Sequence, residues 1–324
     1  FSYNNNFKRA VTKRMQHGNK ALFALMARIT TLDLPLDIES HLFNHMICPV
    51  LTYGSEIWGY ERVDVMEVFQ RKFFKRQMGL RKSTPNCMVY GETGQCPIQC
   101  KTDARLLCFW FSLHVNEVSD ARNASGKLSC ALYQLIRRLW ERDAVESKWL
   151  DGVKAKLEKI GFGGLWNPPR GDAPDNPRWF KEAVKRRLLD MRYQEWLAEV
   201  NSNKHCILYS QLKESMTIVK PLSTMSKYIS IVLYRFRCSN MPFPSNYHIS
   251  NNISQECHLC GAEVGDEFHF ILICPRLHNE RNAYIGKKYT NDPCVGKLVS
   301  LIKSQDESEI QNLSNYLKRI SKLL

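Results

Sequence analysis

The sequence predicts a mainly α chain that carries one small Cys-Cys-His-Cys zinc module. Apolar residues recur at helical spacing along most of the 324 positions, and four metal-ligand residues crowd into positions 257–274. The composition, 44% apolar and 24% charged, is that of a globular chain. No apolar run is long enough to span a bilayer; residues 104–113 come nearest and fall short. A formal net charge of +14 at pH 7 points to a polyanionic partner, RNA or DNA ahead of a membrane surface. This length suggests about two domains. No secretory signal is visible, and the opening at Phe1 rather than Met leads us to expect an upstream portion.

The elements follow from periodicity and punctuation. A helix is predicted over residues 7–31, basic early (Lys8, Arg9, Lys13, Arg14, Lys20) and then apolar through Leu22, Leu25 and Met26. A second begins near Pro35, turns Leu42, Phe43 and Met46 inward and stops before Pro49. Residues 49–59 read as an apolar strand or turn punctuated by Gly54 and Gly59. Residues 63–80 are amphipathic, with Met66, Phe69, Phe73 and Leu80 on one face and Arg71, Lys72, Lys75 and Arg76 on the other. Four cations without a carboxylate among them repel one another unless an anion is near, which makes this face a phosphate-contact candidate; a plain solvated face is the other reading. Residues 84–97 surround a short helix, and Pro97 opens the next one. Residues 104–118 are apolar nearly all round and belong at the centre of a core.

Residues 120–129 are polar and mark a boundary. Leu132, Leu135, Ile136, Leu139 and Trp140 then form an inward face backed by Arg137, Arg138 and Arg142. A helix over 153–160 closes on Gly161, and 162–177 is a loop anchored by Trp166. Residues 179–199 bury Phe180, Ala183, Val184, Leu188 and Met191 and present Lys181, Lys185, Arg186, Arg187 and Arg192. Residues 206–212 read as extended, 224–236 as a helix leading to Arg237 and Asn240, and 245–256 as a polar linker. Asp306 and Glu309 begin a capped C-terminal helix with Ile310, Leu313, Leu317, Ile320 and Leu324 inward.

The metal module is Cys257-x2-Cys260, eight further residues, His269, four more, and Cys274. Zn2+ favours four tetrahedral thiolate and imidazole ligands, with Zn–S about 2.3 Å and Zn–N roughly 2.0–2.1 Å. One tight turn can present both sulfurs of the first pair, and Gly261 behind it permits the bend. Gly265-Asp266 reads as a turn, and 268–273 as a short apolar element that delivers His269 and Cys274; Pro275 and a helix over 276–287 follow. Unconnected thiols and a core histidine are the bland alternative, with His258 and His278 as spare ligands. Four protein ligands leave no open position, so one structural zinc is expected. The remaining cysteines are scattered; Cys96 and Cys100 form a close pair that nothing completes. A reducing location, cytoplasm and nucleus, fits this usage, and the Asn123 and Asn312 sequons are then chance matches.

Catalytic signatures are missing: no phosphate loop, no nucleophile elbow, no His-Glu-x2-His, and no Asp-Asp pair for two-metal chemistry. Asp266-Glu267 lies between zinc ligands and reads as solvating the turn. No catalytic residue and no small-molecule substrate are predicted. The residues alone describe a basic, helical, zinc-stapled binder. Its candidate nucleic-acid contacts are Arg71, Lys72, Lys75, Arg76, Lys185, Arg186, Arg235 and Arg237. Tyr53, Trp58 and Phe268 are candidate stacking rings, with core packing the commoner role.

The string Ile47-Cys-Pro-Val-Leu-Thr-Tyr-Gly-Ser-Glu-Ile-Trp-Gly59 closely resembles the segment after the palm in LINE-type (non-LTR) retrotransposon reverse transcriptases. So do Phe69 and Phe73 with their basic neighbours, Thr84-Pro-Asn86, and Val89-Tyr-Gly-Glu-Thr-Gly94 with Pro97. Arg235-Phe-Arg-Cys-Ser-Asn240 resembles the pre-zinc motif of those polyproteins, and Gly265 to Pro275, with Arg281 after it, resembles their zinc box. The resemblance runs in order over nearly the whole chain. It implies a helical thumb-like bundle (1–120), a helical connector (121–250), a zinc module (251–290) and a helical tail (291–324). It further implies that this part grips template RNA and target DNA for an RNA-directed DNA polymerase whose fingers and catalytic palm lie upstream in the same polyprotein, with no membrane partner. Residues 242–248 depart from the pattern, since Asn246 and His248 replace basic residues usual there. A stand-alone zinc nucleic-acid-binding protein derived from such an element, or a non-functional remnant stapled by zinc, are the alternatives.

Overall fold

A computed structural model describes residues 7–61, 63–119, 128–168, 176–219, 222, 225–246 and 254–324, with the side chains of 116–119 excluded. The described residues contain no strand, and most are helical, as expected. In chain order the helices are α1 (Lys8–Ile29), α2 (Leu36–Leu42), a π turn (Phe43–Ile47), α3 (Cys48–Leu51), α4 (Ser55–Trp58), α5 (Asp64–Gln77), α6 (Asn86–Thr93), α7 (Ile98–Ser119), α8 (Leu128–Glu141), α9 (Lys148–Lys159), α10 (Pro177–Ser202) and α11 (Ile207–Leu212). They continue with α12 (Lys227–Arg237), a second π turn (His269–Ile273), α13 (His278–Tyr284), α14 (Lys287–Thr290), α15 (Val295–Ile302) and α16 (Glu307–Ile320). Several expectations lie wholly or partly outside the described residues: the boundary at 120–129, the loop residues 169–175, the start of a helix at Thr224, the linker residues 247–253, His248 and the Asn123 sequon.

Three local readings need correction. The second helix does not stop before Pro49. The π turn opens the helix by one residue, and Pro49 then falls in the first turn of α3, where a missing N–H costs little. As a result Met46 faces out rather than in. Residues 49–59 form two helical turns joined by Gly54 in the left-handed region (φ 73°), not a strand. Residues 206–212 are also helical, as α11 preceded by a 3-10 turn that Asn203 caps through His205 N.

The Cα packing divides the chain into two units, each assembled from three segments: Phe1–Met26, Phe43–Gln70 and Cys96–Glu195 in the first; Ala27–Leu42, Arg71–Gln95 and Trp196–Leu324 in the second.

The first unit is centred on α7, whose all-round apolar pattern buries Leu106, Leu107, Trp110 and Phe111 against α8, α9 and α10. Trp110 stacks between Trp166 (5.7 Å) and His114 (5.0 Å), and its indole N–H donates to the Tyr133 hydroxyl at 3.1 Å. Here α8 is turned from its expected orientation. Tyr133 and Arg137 point inward, whereas Leu128, Leu132 and Leu135 are exposed. Arg137 lies over the Trp166 ring at 5.1 Å, with its guanidinium against His114 Nδ1 (2.9 Å), the Trp166 carbonyl (2.9 Å) and Asn167 Oδ1. A buried guanidinium keeps its place when carbonyls, ring faces and a carboxylate such as Glu141 satisfy its N–H groups.

The second unit is built around α6. Trp196 donates to the Cys87 carbonyl (2.9 Å) and the Tyr209 hydroxyl to that of Met88 (3.3 Å). These rings pack so closely on α6 that a Cβ at Gly91 would meet the Tyr209 hydroxyl at 2.3 Å. The same helix carries Glu92, wholly buried in a two-pronged ion pair with Arg237 of α12 (3.0 Å to each oxygen). Asn240 ties the turn after α5 to this core, its Oδ1 accepting from Arg81 N (2.8 Å) and the Thr84 hydroxyl (2.9 Å). At the C terminus, Asp306 caps α16 through Ser308 N (2.8 Å) as expected, but Glu309 turns to Tyr289 and Ser304 instead of closing the capping box.

Candidate metal centre and basic faces

The sequence around residue 257 folds as a knuckle because Gly261 adopts φ 72°, letting its N–H return to the Cys257 carbonyl at 2.8 Å. Nothing lies within 4 Å of where its Cβ would be, so the glycine is needed for conformation rather than for space. Cys257 N donates to the Ala262 carbonyl, and Gly265 N to that of Gln255, closing the loop. Asp266 then caps the following turn, its Oδ1 accepting from His269 N at 2.8 Å.

The apolar element that delivers the second pair is a π turn. In an α-helix, residues five apart point about 140° apart. The wider turn, closed by Cys274 N on the His269 carbonyl (2.8 Å), brings the two ligands back to one side. The four donor atoms of Cys257, Cys260, His269 and Cys274 lie within 4.8 Å of one another and could hold a metal ion. Cys257 Sγ and Cys274 Sγ are 3.9 Å apart, and Cys260 Sγ is 3.3 Å from His269 Nε2. Two sulfurs on a tetrahedral ion with bonds of about 2.3 Å sit roughly 3.8 Å apart, so the spacing fits. Burial holds His269 below its ordinary value, in the neutral form that ligates, and pushes the Cys274 thiol up to about 12 when no cation is present. His258 and His278 are exposed and outside the cluster.

Arg281 secures the π turn from behind. Its buried guanidinium donates to the carbonyls of Ile271 (3.2 Å), Leu272 (2.9 Å) and Cys274. The Tyr316 hydroxyl donates to the Phe270 carbonyl at 2.6 Å, and Phe270 stacks on Phe243 at 4.8 Å. Three thiolates and an imidazole around a dication carry a net negative charge, which the Arg281 cation offsets. Arg281→Ala is expected to weaken metal affinity by about 10- to 100-fold, read by competition with a chelator.

No protein-family model, curated protein or solved structure matches the chain.

The predicted cationic contacts separate into two kinds. Lys72, Arg76, Lys185, Arg186 and Arg235 are exposed. Arg71 and Lys75 are half-buried and hold their own surroundings: Arg71 donates to the Tyr90 hydroxyl (3.3 Å), and Lys75 to the carbonyls of Lys82 (2.8 Å) and Thr84 (2.6 Å). Burial, with the Arg71 charge beside it, holds the Lys75 pKa below its ordinary value. Arg237 is overturned as a surface contact, because it is 3% exposed and spent on Glu92. The signal for that pairing, Glu92 in the 89–94 motif, is present in the sequence but 145 residues away. Of the candidate stacking rings, Trp58 is buried with its N–H on the Tyr53 carbonyl, Phe268 is half-buried, and Tyr53 is exposed beneath Arg14. No helix among the described residues is long and apolar enough to cross a membrane.

Proposed function

We propose that the chain is the nucleic-acid-gripping C-terminal part of a non-LTR retrotransposon reverse transcriptase, holding template RNA and target DNA for a palm supplied upstream. One observation carries this. Segments far apart in sequence that resemble successive motifs of that family meet through buried polar contacts in one unit: Glu92 with Arg237, and Thr84 with Asn240. Parts of a single working region behave in this way.

The metal is zinc, since three sulfurs and one imidazole at tetrahedral spacing suit it, and its role is structural because four protein ligands fill all four positions. Nucleic acid is the partner favoured by the +14 charge, and exposed Lys72, Arg76 and Arg235 supply phosphate contacts in the second unit. The aliphatic stem of Arg235 runs beside Gly79, close behind the helix that carries Lys72 and Arg76. A reducing location, cytoplasm and nucleus, is consistent with cysteines kept as thiols and metal ligands.

The test is binding of the purified chain to structured RNA, single-stranded DNA and duplex DNA over a salt series. A steep fall with salt is expected. Neutralising Lys72, Arg76 and Arg235 together should lower the slope of log affinity against log salt by about 2–3, one unit or slightly less per lost phosphate contact. Equal, shallow slopes for both proteins would remove these residues from the interface.

A further inference from the structure

Helix α1 carries six cations and no carboxylate in its 22 residues. At about 100° per residue, Arg9, Lys13 and Lys20 fall within roughly 40° of one another and span roughly 16 Å of the helix. All three are exposed, while Val11, Met15, Gly18 and Leu25 on the opposite face are buried. Like charges in a row repel one another, and a polyanion laid along them relieves the repulsion. A row of cations alone is compatible with a solvated face. The ring beside it is not explained in that way.

That ring is Tyr53, and the chain around it is fixed. Thr52 closes α3 with its N–H and its hydroxyl both on the Cys48 carbonyl (2.9 Å each), and Gly54 turns in the left-handed region. The Tyr53 carbonyl accepts from the buried Trp58 indole at 3.0 Å. Leu51 and Trp58 point into the core, whereas Tyr53 is 68% exposed. Arg14 lies over one face of its ring, the guanidinium carbon 5.1 Å from the centroid. Close contact of Gly18 with Leu51, where a Cβ would come within 2.3 Å, seats α1 there. Round α1 from the cationic stripe, Lys13, His17 and Arg14 follow at steps of about 40–60°, so the ring borders the stripe. These residues all belong to the first unit.

We infer that α1 and Tyr53 form a track for an unpaired polynucleotide strand, with phosphates on Arg9, Lys13 and Lys20 and one base stacked on the open part of the Tyr53 ring. The inference rests on the nucleic-acid-binding function proposed above and gives it a further contact, in the first unit, that selects single strands. Every base has a π face, so the ring takes any base, but only one that is unstacked from its neighbours. A duplex keeps its base faces covered and meets the cations without the ring. RNA and DNA strands share this chemistry.

The test follows the full chain by fluorescence anisotropy with three probes: a 12-nucleotide uridine RNA, a 12-nucleotide thymidine DNA and a 12-base-pair DNA duplex. Tyr53→Ala should weaken single-strand binding by about tenfold and leave the duplex within about twofold, and Tyr53→Phe should bind as the wild type does. Glutamine at Arg9, Lys13 and Lys20 together should lower the slope of log affinity against log salt on the same strand by about 2, about 0.7 per lost phosphate contact. Loss on the RNA, the DNA or both upholds the track and names the strand it takes. Salt-steep wild-type binding with Tyr53→Ala within about twofold on both strands, an equal loss on the duplex, or an unchanged slope in the triple variant overturns the track alone. A wild type that binds none of the probes overturns it together with the function it rests on.

Discussion

Replacing Cys274 by serine is expected to release the metal and unfold residues 254–285, while α7 and its partners keep their protection. Apparent structural-zinc binding energies are roughly 10–16 kcal/mol, comparable with the whole stability of a typical domain, about 5–15 kcal/mol. Without the ion, the Cys257 turn keeps its backbone hydrogen bonds, and the π turn keeps the Arg281 and Tyr316 donations and the burial of Phe270, Ile271 and Leu272. Hydrogen exchange by peptide should show fast exchange across 254–285 in the variant, and in the wild type after chelation. Retained metal and unchanged protection in Cys274→Ser would show that the ion does not depend on this ligand.

Glu92→Ala is expected to destabilise the protein by about 3–5 kcal/mol, the cost of leaving a buried charge without its partner. The loss exposes no apolar surface; it strands Arg237, 3% exposed, beside Lys213, 6% exposed, so that two cations remain where one carboxylate balanced them. Replacing Glu92 and Arg237 together by leucine should cost distinctly less than either single change. The pair also sets an acid limit. Burial alone would raise the Glu92 pKa, but the charges of Arg237 and Lys213 and the hydrogen bond from Arg237 outweigh it and hold the carboxyl below its ordinary 4.5. The stabilisation is therefore complete above that ordinary value and is lost as pH falls through the lower folded value. Urea melts at pH 7 and pH 3 should show a smaller gap between wild type and Glu92→Gln at the lower pH. A Glu92→Ala variant within about 1 kcal/mol of wild type would contradict the role given to the pair.

The metal-ligand residues were legible because metal chemistry fixes both residue type and spacing, and the helices were legible wherever one apolar stripe met one core, as in α5 and α16. What stayed hidden depends on partners remote in sequence. Arg137 and Arg237 carry charges that local patterning assigns to solvent; only Trp166 and His114 for the first, and Glu92 for the second, make burial affordable. Once Arg137 is drawn in, α8 is turned so that Leu132 and Leu135, a persuasive apolar stripe in sequence, face outward. Pro49 misled for a different reason, since a π turn changes the register that a proline must interrupt. Among the cations of α5, sequence could not separate Lys72 and Arg76 from Arg71 and Lys75, because the carbonyls of Lys82 and Thr84 and the Tyr90 hydroxyl enter only on folding.

The most direct measurement is metal analysis of freshly purified protein combined with X-ray absorption at the metal edge. One zinc per chain is expected, bound by three sulfurs at about 2.3 Å and one nitrogen at roughly 2.0–2.1 Å, with the nitrogen lost in His269→Ala. Protein that is folded over 254–285 with no metal, or a zinc keeping its nitrogen ligand after His269 is removed, would contradict the four-ligand centre on which this account stands.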